Sequence, residues 1–311
     1  VGSARRRAYA FSTMPIDLLE QFSDAVAARA ATVQGAVAAI RLSEWRYLSA
    51  TLWAPDAAVA SEQSLPQGDE FELVAAGGAV VKAKLAGRDP GTNVAALRLE
   101  GAVESPTLTN GEAKAGALAL AFGADGAGGV RARLGVINIA GPEWTSSHGG
   151  RIDRRIVLDL ELARAEEGGP VLDAAGARLG ISTFGPRGRV LVIPSATVER
   201  VLPVLLKDGR IARGWLGVAL HPVAVPDALH AQAGTSSGAM VMSITAGGPA
   251  ARAGIVPGDI LVTVNGAPAR SVRRIAAELA SGAIGRAAEL RVIRGGAVLS
   301  LQATIEARPP A

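Results

Sequence analysis

Apolar positions along this chain follow two different rhythms. Near the N-terminus, Leu18, Leu19, Phe22 and Val26 recur at helical spacing behind Pro15, which predicts one helix with a single apolar stripe. Residues 1–13 ahead of it read as a loose arm. From Val37 the rhythm shortens to strand-like runs: Val37–Leu42, Leu48–Trp53, Phe71–Val74, Val80–Leu85 and Val94–Leu99. Pro55-Asp56, Gln67-Gly68 and Gly77-Gly78 punctuate them as turns. A second set follows at Ala117–Phe122, Val130–Ile139, Ile156–Leu160, Val171–Leu172, Ala177–Thr183 and Arg189–Ile193. Two runs of short strands of similar length predict two small β-barrels side by side.

A second helix is expected from Ser195 as N-cap, with Val198, Val201, Leu202 and Leu205 as its buried stripe. Pro203 falls inside it and is expected to kink or divide it, and Gly209 to close it. Beyond Arg213 a third unit begins. Its strands are predicted at Leu216–Leu220, Ala239–Ile244, Ile260–Val264, Glu289–Ile293 and Ser300–Ile305, with a helix from Ser271 to Ser281.

Composition narrows the picture. The chain has 311 residues, room for two or three domains, with 38 glycines and only 4% aromatic residues, as suits a turn-rich β protein. No apolar run reaches the length of a membrane-spanning helix. The start at Val1-Gly2-Ser3 shows no leader, and an export signal or anchor is expected to have been removed ahead of it. The absence of cysteine excludes disulfides, thiol nucleophiles and thiolate metal sites. A net charge of +4 and a pI of about 9.9 come from scattered arginines, so neither nucleic acid nor an anionic surface is expected as a partner.

Short motifs then carry a resemblance. Ala165-Glu166-Glu167-Gly168-Gly169-Pro170, preceded by Leu158-Asp159, resembles the segment that bears the nucleophilic serine of HtrA/Deg proteases. Val192-Ile193-Pro194-Ser195 resembles the close of their second barrel. Arg213-Gly214-Trp215-Leu216-Gly217-Val218 resembles the start of their PDZ domain, and Gly248-Pro249-Ala250, Pro257-Gly258-Asp259-Ile260-Leu261 and Val264-Asn265-Gly266 follow with PDZ-like spacing. The resemblance covers about Pro15 to Ala307. It implies a mainly β chain: a trypsin-like double six-stranded β-barrel over residues 14–200, with barrels at about 30–105 and 112–200. A linker helix at 195–212 and a PDZ domain at 213–307, a β-sandwich with two helices, complete it. It also implies a periplasmic or cell-envelope location and a trimer-forming arm, for which Tyr9 and Phe11 are the aromatic candidates.

The resemblance also places the catalytic triad, and all three positions are substituted. Gln63 stands at the histidine, Asn93 at the aspartate and Glu167 at the serine. An amide is no base near neutral pH, and a carboxylate is no acyl acceptor. Glu167 is expected to point where an oxyanion would develop, and Ala165, at a glycine position of the family, to alter the oxyanion loop. His148, His221 and His230 all lie away from these positions and are expected to be exposed loop residues. Ser61 and Ser64 flank Gln63 and read as strand-end hydroxyls. Glu166 and Glu167 lack a second cluster with metal spacing, so neither a metal nor another cofactor is expected. The expectation is a pseudoprotease acting as a peptide- or protein-binding scaffold, chaperone-like or assembly factor through its PDZ domain and barrel cleft, with a serine endopeptidase-like hydrolase of residual or non-standard activity as the rival.

For the PDZ part the resemblance implies capture of polypeptide C-termini or unfolded segments by strand addition. The carboxylate is expected at the Trp215-Leu216-Gly217-Val218 loop, and the last side chain in a pocket of Leu216, Val218, Ile275 and Leu279. Leu216 and Val218 share one side only if the loop turns between them. An active HtrA/Deg relative or one dedicated protein is the other expected partner.

Overall fold

A computed structural model describes residues 16–279 and 283–309. The expected arm at 1–13, with Tyr9 and Phe11, and the last residues of the Ser271–Ser281 helix lie outside that range. Helix α1 spans Ile16–Val33. Val26, Ala30 and Val33 pack it onto the barrels. The first half of the expected stripe is not buried: Leu18, Leu19 and Phe22 are 54%, 60% and 44% exposed, and α1 meets the barrel core only from Val26 onward.

Strands β1 (Val37–Arg41), β2 (Tyr47–Ala54), β3 (Ala57–Ser61), β4 (Glu70–Val74), β5 (Val80–Asp89) and β6 (Val94–Leu99) close a barrel in the order β1-β2-β3-β6-β5-β4. Its core holds Ile40, Leu52, Leu73 and Leu97. Strands β7 (Leu118–Ala124) and β8 (Val130–Gly141) follow, then a small hairpin, β9 (Trp144–Thr145) with β10 (Arg151–Ile152). With β7 and β8, strands β11 (Arg155–Asp159), β12 (Pro170–Asp173), β13 (Arg178–Phe184) and β14 (Val190–Pro194) close the second barrel, in the order β11-β14-β13-β12-β7-β8. Both expected barrels are therefore present. The strand missed by periodicity is β3, whose Ala57-Ala58-Val59-Ala60 run is buried on both faces and shows no alternation.

Helix α2 (Ser195–Asp208) covers the seam between the barrels with Val198, Val201, Leu202 and Leu205. Each such side chain, fully buried, contributes about 2 kcal/mol. Two local expectations change. The N-cap is Pro194, while the Ser195 hydroxyl donates to the Arg178 carbonyl at 3.0 Å. Pro203 does not divide the helix, which runs unbroken from Ser195 to Asp208; it lies on the exposed face, where the carbonyl that its missing N–H leaves unpaired is open to solvent. Gly209 closes α2 in the left-handed conformation, at φ 73°.

The third unit has a sheet ordered β16 (Val218–Ala224), β17 (Ser237–Ile244), β18 (Ile260–Val264), β20 (Ala287–Arg294), β21 (Ala297–Thr304). Strand β19 (Ala267–Pro268) pairs with β18 across Asn265-Gly266, and β15 (Gly214–Trp215) pairs with β22 (Glu306–Ala307). Short helices α3 (His230–Ala233), α4 (Pro249–Arg252) and α5 (Val272–Glu278) pack around it, one more than the two expected. The expected strand Leu216–Leu220 is broken: Gly217, at φ 77°, separates β15 from β16. Asp259 is buried beneath Arg294, which donates from Nε and Nη2 at 2.7 Å each.

This unit is tied to the first barrel by a buried charge. Asp89, at the end of β5, accepts from the Gly91 and Thr92 N–H groups and the Thr92 hydroxyl. It also pairs with Arg213 at 2.6 Å, two residues before Trp215.

Candidate functional site: a sealed triad and an open groove

Gln63, Asn93 and Glu167, expected at the triad positions, do come together. Ser61 ends β3, and the chain turns through Gln63 and Ser64, with the Ser64 and Leu65 N–H groups donating back to the Ser61 carbonyl. Asn93 precedes β6 in the left-handed conformation, at φ 58°, which asparagine tolerates better than most residues. Its side-chain carbonyl accepts from the Gln63 N–H at 2.7 Å, and its amide donates to Ser61 and Thr183 hydroxyls at 2.9 and 2.6 Å.

Glu167 enters from the second barrel. A short 3-10 turn, Arg164–Glu166, lifts it, and Gly168 at φ 93° returns the chain to β12. The Gly168-Gly169 pair is required by packing. A side chain at Gly168 would run into the Ser49 carbonyl, and one at Gly169 into the Phe122 carbonyl. The Gly-Gly-Pro half of the motif therefore has a structural cause independent of catalysis.

The Glu167 carboxylate is 3% exposed as a residue and faces across the cleft to the first barrel. Its Oε1 accepts from Gln63 Nε2 at 2.6 Å, Thr183 Oγ1 at 2.7 Å, Ser61 Oγ at 2.8 Å and the Phe184 N–H at 3.1 Å. Its Oε2 accepts from Ser64 Oγ. So Glu167 meets Gln63 directly and Asn93 only through the shared Ser61 and Thr183 hydroxyls. Ser61 and Ser64 are not idle strand-end hydroxyls but its donors. Thr183 belongs to the same network, and nothing in its local sequence signals that.

Two further features bear on chemistry. The Glu167 N–H is directed into its own turn, at 3.4 Å from the Arg164 carbonyl, and the Ala165 carbonyl is held by the Ser49 hydroxyl at 2.6 Å. The backbone donor that would have to meet an oxyanion thus faces elsewhere. Glu166 turns the opposite way from Glu167. It is fully buried, clasped by Arg133 Nε and Nη2 and by the Ala163 N–H, so the two glutamates form no acid pair. Among the described residues no three His, Asp or Glu side chains are grouped as metal ligands. His148 is an exposed loop residue as expected, whereas His221 is exposed but stands on β16, and His230 is half-buried at the start of α3 with Nε2 at 2.8 Å from the Val225 carbonyl.

Above this floor lies an open cleft of 920 Å³, walled by Trp45, Tyr47, Leu162 and Phe184. A second depression, of 210 Å³, lies between β16 and α5. Leu216, Val218, Ile275 and Leu279 all line it, with Trp215 and Gly217. The turn at Gly217 is what lets Leu216 and Val218 share one side. Leu216 and Ile275 are core residues at 2% and 4% exposure, so the pocket walls double as core. The Leu216 and Gly217 N–H groups donate to no backbone carbonyl among the described residues. The His148-Gly149 loop of the second barrel and Arg213 complete the rim.

Two closed barrels with a cleft between them, followed by a sheet whose edge strand faces a helix, define a trypsin-like peptidase fold joined to a PDZ domain. The family profiles agree: "Trypsin-like peptidase domain" matches residues 49–181 and "PDZ domain" residues 214–305. The chain belongs to the HtrA/Deg family. It is 31% identical over 261 residues to a probable periplasmic serine endoprotease DegP-like of Brucella suis biovar 1, covering 81% of this chain and 50% of that protein. It is 26% identical to the serine endoprotease DegS of Salmonella typhimurium, covering 81% of this chain and 74% of that one. The chain thus spans about half the length of the DegP-like relatives it matches. Among solved structures, the HtrA-type protease AlgW with a tripeptide superposes with a TM-score of 0.69 at 26% identity, over 93% of this chain and 98% of that one.

Proposed function

We propose that this chain is a non-catalytic HtrA/Deg-type protein that binds polypeptide C-termini or unfolded segments through its PDZ groove and its barrel cleft, with the double barrel kept as a scaffold. The observation that carries the reading is the Glu167 carboxylate, closed over by Ser61, Ser64, Gln63, Thr183 and the Phe184 N–H where a nucleophile and base would have to meet. Gln63 is a donor there, not a proton acceptor. The naming of relatives as periplasmic supports a cell-envelope setting, and the tripeptide held by AlgW supports peptide capture. Chaperone-like holding of unfolded chains, pairing with an active relative, and a trimer are the assembly states to examine.

The test has two arms. Purified protein leaves unfolded casein intact and takes no label from a fluorophosphonate probe; turnover that survives repurification overturns the non-catalytic reading. In calorimetry, peptides ending in a free apolar residue bind with Kd on the order of micromolar, and C-terminal amidation or Leu279→Arg weakens them. Binding indifferent to amidation overturns the carboxylate-loop assignment.

One observation favours the rival hydrolase reading. Ser64 Oγ donates to Glu167, a hydroxyl beside a carboxylate acceptor. Fluorophosphonate labelling that disappears in Ser64→Ala would identify that serine as a nucleophile.

A further inference from the structure

The cleft between the barrels remains open although its floor is sealed. Beyond the peptide binding read for it above, we propose that it selects interior segments of an extended polypeptide in which aromatic or aliphatic side chains alternate with acidic ones, a ligand class distinct from the free C-termini proposed for the PDZ groove. This inference rests on the reading of the cleft as non-catalytic.

The first argument is the apolar wall. Trp45 is 83% exposed at the rim of the cleft. An indole held out to solvent on a short loop, beside Tyr47, Leu42 and Phe184, offers a large stiff contact surface at small entropic cost.

The second argument is charge. The charged side chains lining the cleft are Arg46, Arg164 and Glu167. Both Glu167 oxygens already accept hydrogen bonds from within. Arg46 and Arg164 are exposed, and neither forms an ion pair among the described residues. That sets them apart from Arg41, Arg88, Arg133, Arg178 and Arg213, each of which has a carboxylate partner. Exposed Arg187 and Arg189 flank Gly188 at the same mouth. Glu44 and Glu161 are exposed nearby but do not line the cleft. Guanidinium forks separated by aromatic faces suit carboxylates spaced along a strand. A nucleic acid also combines stacking with negative charge, but its phosphate at every nucleotide asks for more cations than two lining arginines.

The experiment measures fluorescence anisotropy of labelled decapeptides on the full chain. All are acetylated and amidated, so that no free carboxylate engages the PDZ loop. An alternating Glu/Phe peptide is expected to bind with Kd on the order of 10 μM, and its Lys/Phe and Gln/Phe counterparts at least about tenfold more weakly. Arg46→Glu and Arg164→Glu each weaken the acidic peptide about fivefold, as does raising salt to 0.5 M. Trp45→Ala weakens all three peptides, while capture of free C-termini is unchanged. Equal binding of the lysine peptide, indifference to both charge reversals, or tighter binding of a single-stranded oligonucleotide overturns the proposal. Mass spectrometry of the peptide afterwards keeps the two readings apart. Cleavage sinks the non-catalytic assignment, whereas intact peptide bound without charge preference sinks only the present one.

Discussion

The barrel cleft and the PDZ groove both hold converging hydrogen-bond donors, and they differ in what those donors meet. In the cleft, Gln63, Ser61, Ser64, Thr183 and the Phe184 N–H converge on a carboxylate of the chain itself, Glu167. In the groove, the Leu216 and Gly217 N–H groups have no backbone acceptor among the described residues. An internal acceptor turns a site into a structural joint, because filling it joins two barrels. Donors without an internal acceptor are the groups on which the proposed capture of C-termini relies. Sites of similar donor chemistry are thus separated in role by whether the acceptor is covalently part of the fold.

The largest effect expected from breaking this contrast is at Glu167. Glu167→Leu leaves several buried donors without an acceptor at the barrel seam and is expected to cost about 3 kcal/mol or more in urea unfolding. Glu167→Ser leaves the same donors orphaned and restores no base, so it is destabilised similarly and still fails to cleave casein. Full stability in Glu167→Leu would show that the network is incidental.

Next in size is the link between the two regions. Asp89 is buried and Arg213 is 22% exposed, so removing the guanidinium strips a buried carboxylate of its ion partner. The Gly91 and Thr92 donors remain. Arg213→Ala is expected to cost about 2 kcal/mol and to let the PDZ unit swing away from the barrels, which small-angle scattering would register as a larger radius of gyration.

The groove unit carries its own pH signature. Burial opposes the charged form of Asp259, but the Arg294 hydrogen bonds, the Val256 N–H and the Arg294 charge together hold its carboxyl below the ordinary value of 3.8. A depressed folded value means that the stabilisation is present above the unfolded value and is lost as pH falls through the folded one. Melting of the PDZ unit should therefore drop as pH falls below about 4, and Asp259→Asn, costing about 2 kcal/mol at neutral pH, should flatten that acid limb.

The smallest change is at the turn on which the groove depends. Gly217→Ala places a side chain at φ 77° and about 3.1 Å from the Trp215 ring. A loss of about 1 kcal/mol in stability is expected, with weaker capture of free C-termini. Unaltered capture would mean that the turn does not shape the carboxylate site.

The fold was legible where local pattern and packing coincide. Val94–Leu99 and Ile260–Val264 are strands with the predicted limits, since their apolar runs are bounded by turn residues. That Gln63, Asn93 and Glu167 would meet was legible through motif spacing. What those residues now do was not, because Thr183 and Glu167 lie more than a hundred residues from Gln63 or Ser61 and meet only when the barrels close. The same holds for Glu166. Its neighbour Glu167 is identical in sequence character, yet the backbone turn sends one to Arg133 and the other across the cleft. The failed break at Pro203 has a similar cause, since exposure of that face is decided by tertiary packing.

The placement of two indoles has an optical consequence. Trp45 stands in solvent at the rim of the barrel cleft, whereas Trp215 lies half-buried over Gly217 in the PDZ groove. Each recess carries its own intrinsic fluorophore, with water around one and packed side chains around the other. Occupancy of the first should shift emission toward the blue and shield it from iodide quenching, while occupancy of the second should change intensity with little spectral shift. Variants keeping one of the two indoles, with Trp53 and Trp144 replaced by phenylalanine in both, would let unlabelled protein show which recess a given polypeptide has filled.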